Sequence, residues 1–259
     1  MTGTVYLVGA GPGDPELLTL RAARLLATAD VVLHDDLVPA EVLAMVYERA
    51  LVTSVGKRCG RARITQAGIN RMMVDAARAG QMVVRLKAGD PLVFGRAGEE
   101  LRALASAGIR VEVVPGISAA FAAAAFLRLP LTDRLSASKL IFIAGRHAAE
   151  KGAPAIWSGD VPSDSTLVIY MPGRDFSLLA AELRRAGVSG DMPCVSVVNA
   201  GRDSQSVAGC RLGELEGMEA STGPMLMLVG RAMEGLVEGT PLPGTLLRKV
   251  FNPLGLGVD

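Results

Sequence analysis

The chain has 259 residues, half of them hydrophobic and a fifth charged, which suits one large domain or two small ones and argues against extended disorder. Its 27 basic and 26 acidic side chains leave a net charge of +1, without the basic excess expected of a non-specific nucleic-acid or membrane-surface binder. Three cysteines with no C-x-x-C pair and two histidines argue against a zinc or iron–sulfur site and against a disulfide framework, and fit a reducing compartment.

The first residues carry no basic region and run directly into an apolar stretch at 5–8, which reads as a strand and not as a signal peptide, so a cytoplasmic protein is expected. Further strand-like runs follow at 31–33, 51–55, 82–86 and 111–114. Amphipathic stretches at 16–28, 64–79 and 97–107 lie between them, with Gly80 and Gly108 where helix C-caps are expected. Strands separated by helices of this length read as βαβ units in a parallel sheet. The longest apolar stretch, 117–127, is too short to span a bilayer. A polar joint at 130–138 precedes a second series of the same kind. Strands are expected there at 140–144, 167–171, 194–198 and 225–229, a helix at 177–186, and an extra strand, open to antiparallel placement, at 205–210. The expected architecture is α/β, with two α/β domains at 1–134 and 139–238 and a Pro- and Gly-rich extension at 239–259.

The first strand ends in Gly9-Ala10-Gly11-Pro12-Gly13-Asp14-Pro15. Glycines between a strand and a helix suit nucleotide binding because backbone can approach a ligand closely. Asp35, about 20 residues on, completes a superficial likeness to the dinucleotide fingerprint. The likeness fails in detail: Asp14 stands where that pattern needs its third glycine, and Pro12 removes an amide from the turn. Asp14-Pro15 reads instead as an N-cap followed by proline at the first helical position.

The stretch Arg85-Leu86-Lys87-Ala88-Gly89-Asp90-Pro91 is more specific, and Phe94-Gly95-Arg96-Ala97-Gly98-Glu99 follows it. A turn-forming Asp and Pro explain the first part but not Arg96 and Glu99 straddling Gly98 at the mouth of the loop. Together with the first turn, His34-Asp35-Asp36-Leu37-Val38, Gly56-Lys57-Arg58, Val114-Pro115-Gly116-Ile117-Ser118-Ala119 and Leu129-Pro130-Leu131-Thr132-Asp133-Arg134, this order and spacing resembles the tetrapyrrole methylase family from about Val5 to Val237.

The resemblance implies the tetrapyrrole methylase fold (class III methyltransferase): two α/β domains with a cofactor cleft between them, in a homodimer. It implies transfer of two methyl groups from S-adenosylmethionine to uroporphyrinogen III, at C2 and C7, giving precorrin-2 for cobalamin or sirohaem. The alternative within the family is a later precorrin as substrate. It implies cofactor contacts from Pro12, Ala88, Gly89, Asp90, Val93, Ser118, Ala119, Met171, Ala200 and Met225. Asp35 resembles the proton acceptor and Lys57 the proton donor, while Arg96 occupies a position that serves as the base in a related enzyme type, so the base stays open between Asp35 and Arg96. Glu99, Arg134 and Arg58 match substrate-pocket positions. Lys57 and Arg58 open a stretch of four cations without an acid, ending at Arg63, the local cluster that a carboxylate-rich ligand requires of a chain with so little net charge. No metal, nucleic acid or membrane is expected. Three positions depart from the family pattern: Ala88, Asp36 and Asp133. A nicotinamide-dependent oxidoreductase fails at Asp14 and Pro12; an RNA methylase would want more basic charge and stacking aromatics. A non-catalytic sensor lacks a reason to keep Asp35, Lys57 and Arg96.

Overall fold

The computed structural model describes residues 2–56, 64–145, 157–219 and 221–237. Lys57, Arg58 and the tail from 239 lie outside the described residues. The chain divides into two compact units, Met1–Ala122 and Ala123–Asp259.

In the first unit β1 (Thr4–Gly9), β2 (Val31–His34), β3 (Leu51–Ser54), β4 (Val83–Lys87) and β5 (Arg110–Val114) form a parallel sheet in the order β3-β2-β4-β1-β5. β4 is buried along its whole length, as a strand covered on both faces must be. Val5, Leu7, Val31, Leu33 and Val83 share one core with Met73 of α3 (Gln66–Arg78) and Leu104 of α4 (Ala97–Ser106). Val8, Val32, Val84 and Leu86 share the other with Leu26 of α1 (Leu20–Leu26) and Val42 of α2 (Ala40–Leu43). The alternation of β4 therefore sends Val83, Arg85 and Lys87 toward the α3–α4 side and Val84 and Leu86 toward the other. Gly80 and Gly108 have φ of +85° and +68°, the left-handed turns expected after α3 and α4.

The helix expected at 16–28 is broken. Asp14 caps a single 3₁₀ turn, Pro15–Leu17, accepting from Glu16 N at 2.8 Å. Leu18 is extended, and Thr19 caps α1 by accepting from Ala22 N at 3.1 Å. A second capping residue restarts the helix where the periodicity alone suggests continuity. The sequence pattern predicts neither α2 nor α5 (Ala119–Leu127).

In the second unit β6 (Lys139–Ala144), β7 (Ser165–Tyr170), β8 (Pro193–Val198), β9 (Ser206–Arg211) and β10 (Met225–Val229) follow the order β6-β7-β10-β8-β9. β6 and β7 are parallel, but β10 runs antiparallel to β7 and β8, and β9 runs antiparallel to β8. This differs from the second parallel series that the sequence pattern predicts, in which only the extra strand is open to antiparallel placement. The connection from β8 to β9 is a short turn, which makes β9 an antiparallel neighbour of β8; the segment from β9 to β10, which holds a 3₁₀ helix, Leu212–Gly217, then crosses β8 so that β10 runs in the direction of β9, opposite to β7 and β8. Phe176, Leu179 and Leu183 of α6 (Phe176–Arg185), capped by Asp175, pack on Leu167, Ile169, Met227 and Val229. The chain's last described element is α7 (Glu234–Val237). Cys194 and Cys210 stand opposite one another across β8 and β9 as free thiols; burial pushes Cys194 up to about 12 and Cys210 in the same direction, so both stay protonated near neutral pH. No helix of the described residues is long and apolar enough to cross a membrane.

Candidate active site

β1 lies between β4 and β5, and the chain leaves β1 toward one side of the sheet and reaches β5 on the other. Ligands of open α/β sheets bind outside the carboxyl ends of the strands at such a reversal. Here those ends carry three glycine loops that are tied together. Ala10 N donates to Lys87 O at 2.7 Å, Gly11 N to Gly89 O at 3.2 Å and Gly89 N to Gly11 O at 2.7 Å. Asp90 clamps the third loop: its Oδ2 accepts from Gly116 N at 3.1 Å and its Oδ1 from Leu92 N at 2.8 Å. Val93 N donates to Asp90 O at 3.3 Å, and Ser118, buried, accepts through its carbonyl from Phe121 N at 3.0 Å beside Ala119, where α5 begins. Pro12 is buried in the first loop. The first-unit residues assigned to the cofactor thus form one loop cluster, and Gly11 and Asp14 are not a phosphate cradle, because the turn leads into a capped 3₁₀ turn and not into a helix.

The glycines here have separate reasons. Gly89 has φ +66°, and a Cβ on it would meet only Ser118 Cα within 4 Å, at 3.9 Å, so the space beside it is open. A Cβ on Gly9 would come within 2.6 Å of Gly116 Cα, Gly116 N and Gly89 O, all backbone. Gly9→Ala is therefore expected to lower stability by about 1–3 kcal/mol in urea titration, whereas Gly98→Ala, inside α4 with Arg102 Nη1 as its nearest neighbour, is expected to raise it by up to about 1 kcal/mol. Ala88 is not among the residues with positive φ, so the methyl that departs from the family pattern carries no backbone strain.

A second constellation lies on the α3–α4 side of β4. Asp35 follows β2, and its Oδ1 accepts from Arg85 Nη2 at 2.5 Å. Arg85 donates through Nε to Glu100 Oε1 at 2.9 Å and through Nη1 to Leu33 O at 3.3 Å and Leu86 O at 3.2 Å. Glu100, at 0% exposure, also receives Lys87 Nζ at 3.0 Å on Oε2 and Gln66 Nε2 at 3.2 Å on Oε1. Burial and then the neighbouring Arg85 pull the Lys87 ammonium below the usual lysine range, against the opposing pull of Glu100 and Asp35. The two cations and two carboxylates balance. Removing one partner of such a buried set leaves an uncompensated charge, at a cost of about 3–5 kcal/mol. The sequence motifs by themselves assign Arg85, Lys87 and Glu100 no role.

Asp36 accepts from Ser54 Oγ at 3.2 Å and lies against Gly56. Arg96 stands as the N-cap residue of α4 with φ 58° and ψ 17°, a left-handed conformation unusual for a side chain of its size. Its Nε and Nη2 donate to the two oxygens of Glu99 at 2.7 and 2.8 Å. That fork is the first cause of Arg96 titrating above, and Glu99 below, their ordinary ranges. Arg96 is half exposed, so its head is held and still reachable from solvent.

The second unit places its three assigned residues at one end of its sheet. Met171 follows Tyr170, whose register partner is Leu226; Met225 pairs with Val198, two residues before Ala200. Met171 has φ 52° and is 51% exposed, so plain core packing does not account for it. Met225 is partly buried against the core and Ala200 is buried. Asp133 caps its own turn, accepting from Leu135 N, Ser136 N and Ser136 Oγ, each at 2.9 Å. Those bonds, Leu135's first, hold its carboxyl below the usual range. Arg134 beside it is exposed.

The sheet and its tied loops define an α/β protein whose glycine loops gather at the carboxyl ends of its strands. A profile of the family described as Tetrapyrrole (Corrin/Porphyrin) Methylases matches residues 4–216. The uroporphyrinogen-III C-methyltransferase of Paracoccus denitrificans is 40% identical over 258 residues, 98% of this chain and 90% of that protein. Siroheme synthase 1 of Klebsiella pneumoniae is 43% identical over 235 residues; the chain spans about half the length of that relative. Among solved structures, the uroporphyrin-III C-methyl transferase of Thermus thermophilus complexed with S-adenyl homocysteine superposes with a TM-score of 0.75 at 40% identity, over 90% of this chain and all of that one. The chain belongs to the tetrapyrrole methylase family.

Proposed function

We propose that the chain is an S-adenosylmethionine-dependent C-methyltransferase that methylates uroporphyrinogen III at C2 and C7, giving precorrin-2 for cobalamin or sirohaem supply, and that it works as a cytoplasmic homodimer. We propose functional domains at 1–134 and 139–238, with 239–259 an extension of unassigned role. The observation that carries the reading is the tied cluster of Gly9–Gly11, Ala88–Asp90 and Gly116–Ser118, in a chain 40% identical to a methyltransferase solved with S-adenyl homocysteine.

The residues fit that cofactor. The open space beside Gly89 admits a ligand against backbone, and Asp90 and nearby carbonyls suit its cationic amino and sulfonium groups. Pro12, Val93, Ser118 and Ala119 complete this set, and Met171, Ala200 and Met225 are proposed as apolar contacts from the second unit. When bound, S-adenosylmethionine supplies an electrophilic methyl group. The chain's residues then have to hold a pyrrole carbon in line with it and take up the proton released after the carbon–carbon bond forms. Asp35 is the proposed acceptor and Lys57 the proposed donor. Arg96 with Arg58 and Arg134 would grip substrate carboxylates, and Glu99 would fix the Arg96 head. The test is methyl transfer measured under anaerobic conditions on uroporphyrinogen III and, in parallel, on a later precorrin. Transfer to the first is expected; transfer confined to the second overturns the substrate assignment.

A further inference from the structure

We infer that Glu100 is a positioning residue for Asp35, acting through Arg85. The inference rests on the reading of Asp35 as proton acceptor. Asp35 projects from the loop after β2, and its main chain is fixed by Asp35 N donating to Leu86 O at 3.1 Å, by Val38 N donating to Asp35 O at 3.2 Å, and by His34 Nδ1, 3.0 Å from the same carbonyl. Those bonds place the backbone but leave the carboxylate free to turn. The carboxylate is set by Arg85 Nη2 alone among the contacts described. Arg85 in turn is 2% exposed, with Nε and Nη1 occupied by Glu100, Leu33 O and Leu86 O, so its fork has one orientation.

Glu100 is the side-chain hub of that arrangement. It is fully buried on the inner face of α4, with Arg85 Nε, Lys87 Nζ and Gln66 Nε2 converging on it from β4 and α3. Stability alone is a weak reason to bury such a set, since apolar groups of the same volume commonly do as well. This set instead ends on a carboxylate that is 32% exposed, at the strand end next to the loop cluster. Of the four charged members, only Asp35 reaches solvent appreciably. The same turn of α4 carries Glu99, which holds Arg96. Adjacent acids on one helix turn thus fix Arg96 directly and Asp35 through Arg85.

The test is a double-mutant cycle on the full-length protein, with uroporphyrinogen III and S-adenosylmethionine under anaerobic conditions. Glu100→Gln keeps the shape and an acceptor oxygen but loosens the hold on Arg85. It is expected to lower kcat by about 10- to 100-fold, with KM for both substrates and S-adenosylhomocysteine affinity within about twofold of wild type. Asp35→Asn is expected to lower kcat at least as far. In the Asp35→Asn background, adding Glu100→Gln is expected to cost less than about twofold further, because a residue acting through another has nothing left to act on. Arg85→Lys retains the cation without the fork and is expected to reproduce the Glu100→Gln loss, which keeps the inference testable should Glu100→Gln not fold. Losses that multiply in the double variant, or a folded Arg85→Lys with wild-type kcat, overturn the positioning role while leaving Asp35 as acceptor. Wild-type kcat in Asp35→Asn overturns the acceptor assignment itself, and the inference with it.

Discussion

Asp90→Ala is expected to weaken S-adenosylhomocysteine binding by at least about 100-fold in calorimetry, because both carboxylate oxygens are in use. One closes the Asp90–Leu92 turn and the other holds Gly116 N, so the β4 and β5 loops lose their tie together. Hydrogen bonds to a charged acceptor contribute about 1.5–3 kcal/mol each, and the Gly9–Gly89–Gly116 packing has no slack with which to compensate. Asp90→Asn retains one oxygen acceptor and is expected to fall between wild type and Asp90→Ala. The cores built on Leu7, Leu33 and Met73 lie away from the loop, so the thermal transition should stay cooperative. Unchanged affinity in Asp90→Ala would show that the cofactor does not use this cluster.

Arg96 leads to the opposite pattern. Arg96→Ala is expected to cost at least about 100-fold in kcat while S-adenosylhomocysteine affinity stays within about twofold, because the guanidinium lies on the α4 side of the loop and is proposed to meet substrate carboxylates. The left-handed backbone adds a second readout. A bulky residue there stores about 1–2 kcal/mol that glycine would not, so Arg96→Gly should unfold at higher urea than Arg96→Ala and be equally inactive. An Arg96→Gly variant more stable than Arg96→Ala and equally inactive marks a residue kept in place for its chemistry. Loss of cofactor affinity in either variant would contradict this division of labour.

How much of this was legible in the sequence varies with the physics involved. Strands of the first unit and α3 stood out because hydrophobic period and capping residues agree there: Thr65 precedes α3, and Gly80 follows it. The break between Pro15–Leu17 and α1 was hidden because Thr19 sits within an apparently continuous pattern. The antiparallel placement of β10 is a long-range choice that no local period encodes. At the site, the glycine motifs were legible, but their mutual bridging was not, since Gly11 and Gly89 are far apart in sequence. The buried set did leave a trace. Glu100 shares the apolar stripe of α4 with Ala97 and Leu104, and Arg85 and Lys87 alternate onto one face of a strand otherwise wholly apolar. An acid in a core stripe and cations in a core strand demand each other. Of the departures from the family pattern, Asp36 and Asp133 are engaged locally, by Ser54 and by the Leu135–Ser136 turn.

The central claim is that this chain places two methyl groups on uroporphyrinogen III. The most direct measurement is anaerobic incubation of the protein with uroporphyrinogen III and S-adenosylmethionine labelled at the methyl carbon, followed by mass spectrometry and carbon NMR of the product. The account predicts a product carrying two labelled methyl groups, at C2 and C7. An unlabelled tetrapyrrole, or label at other ring carbons, would contradict it.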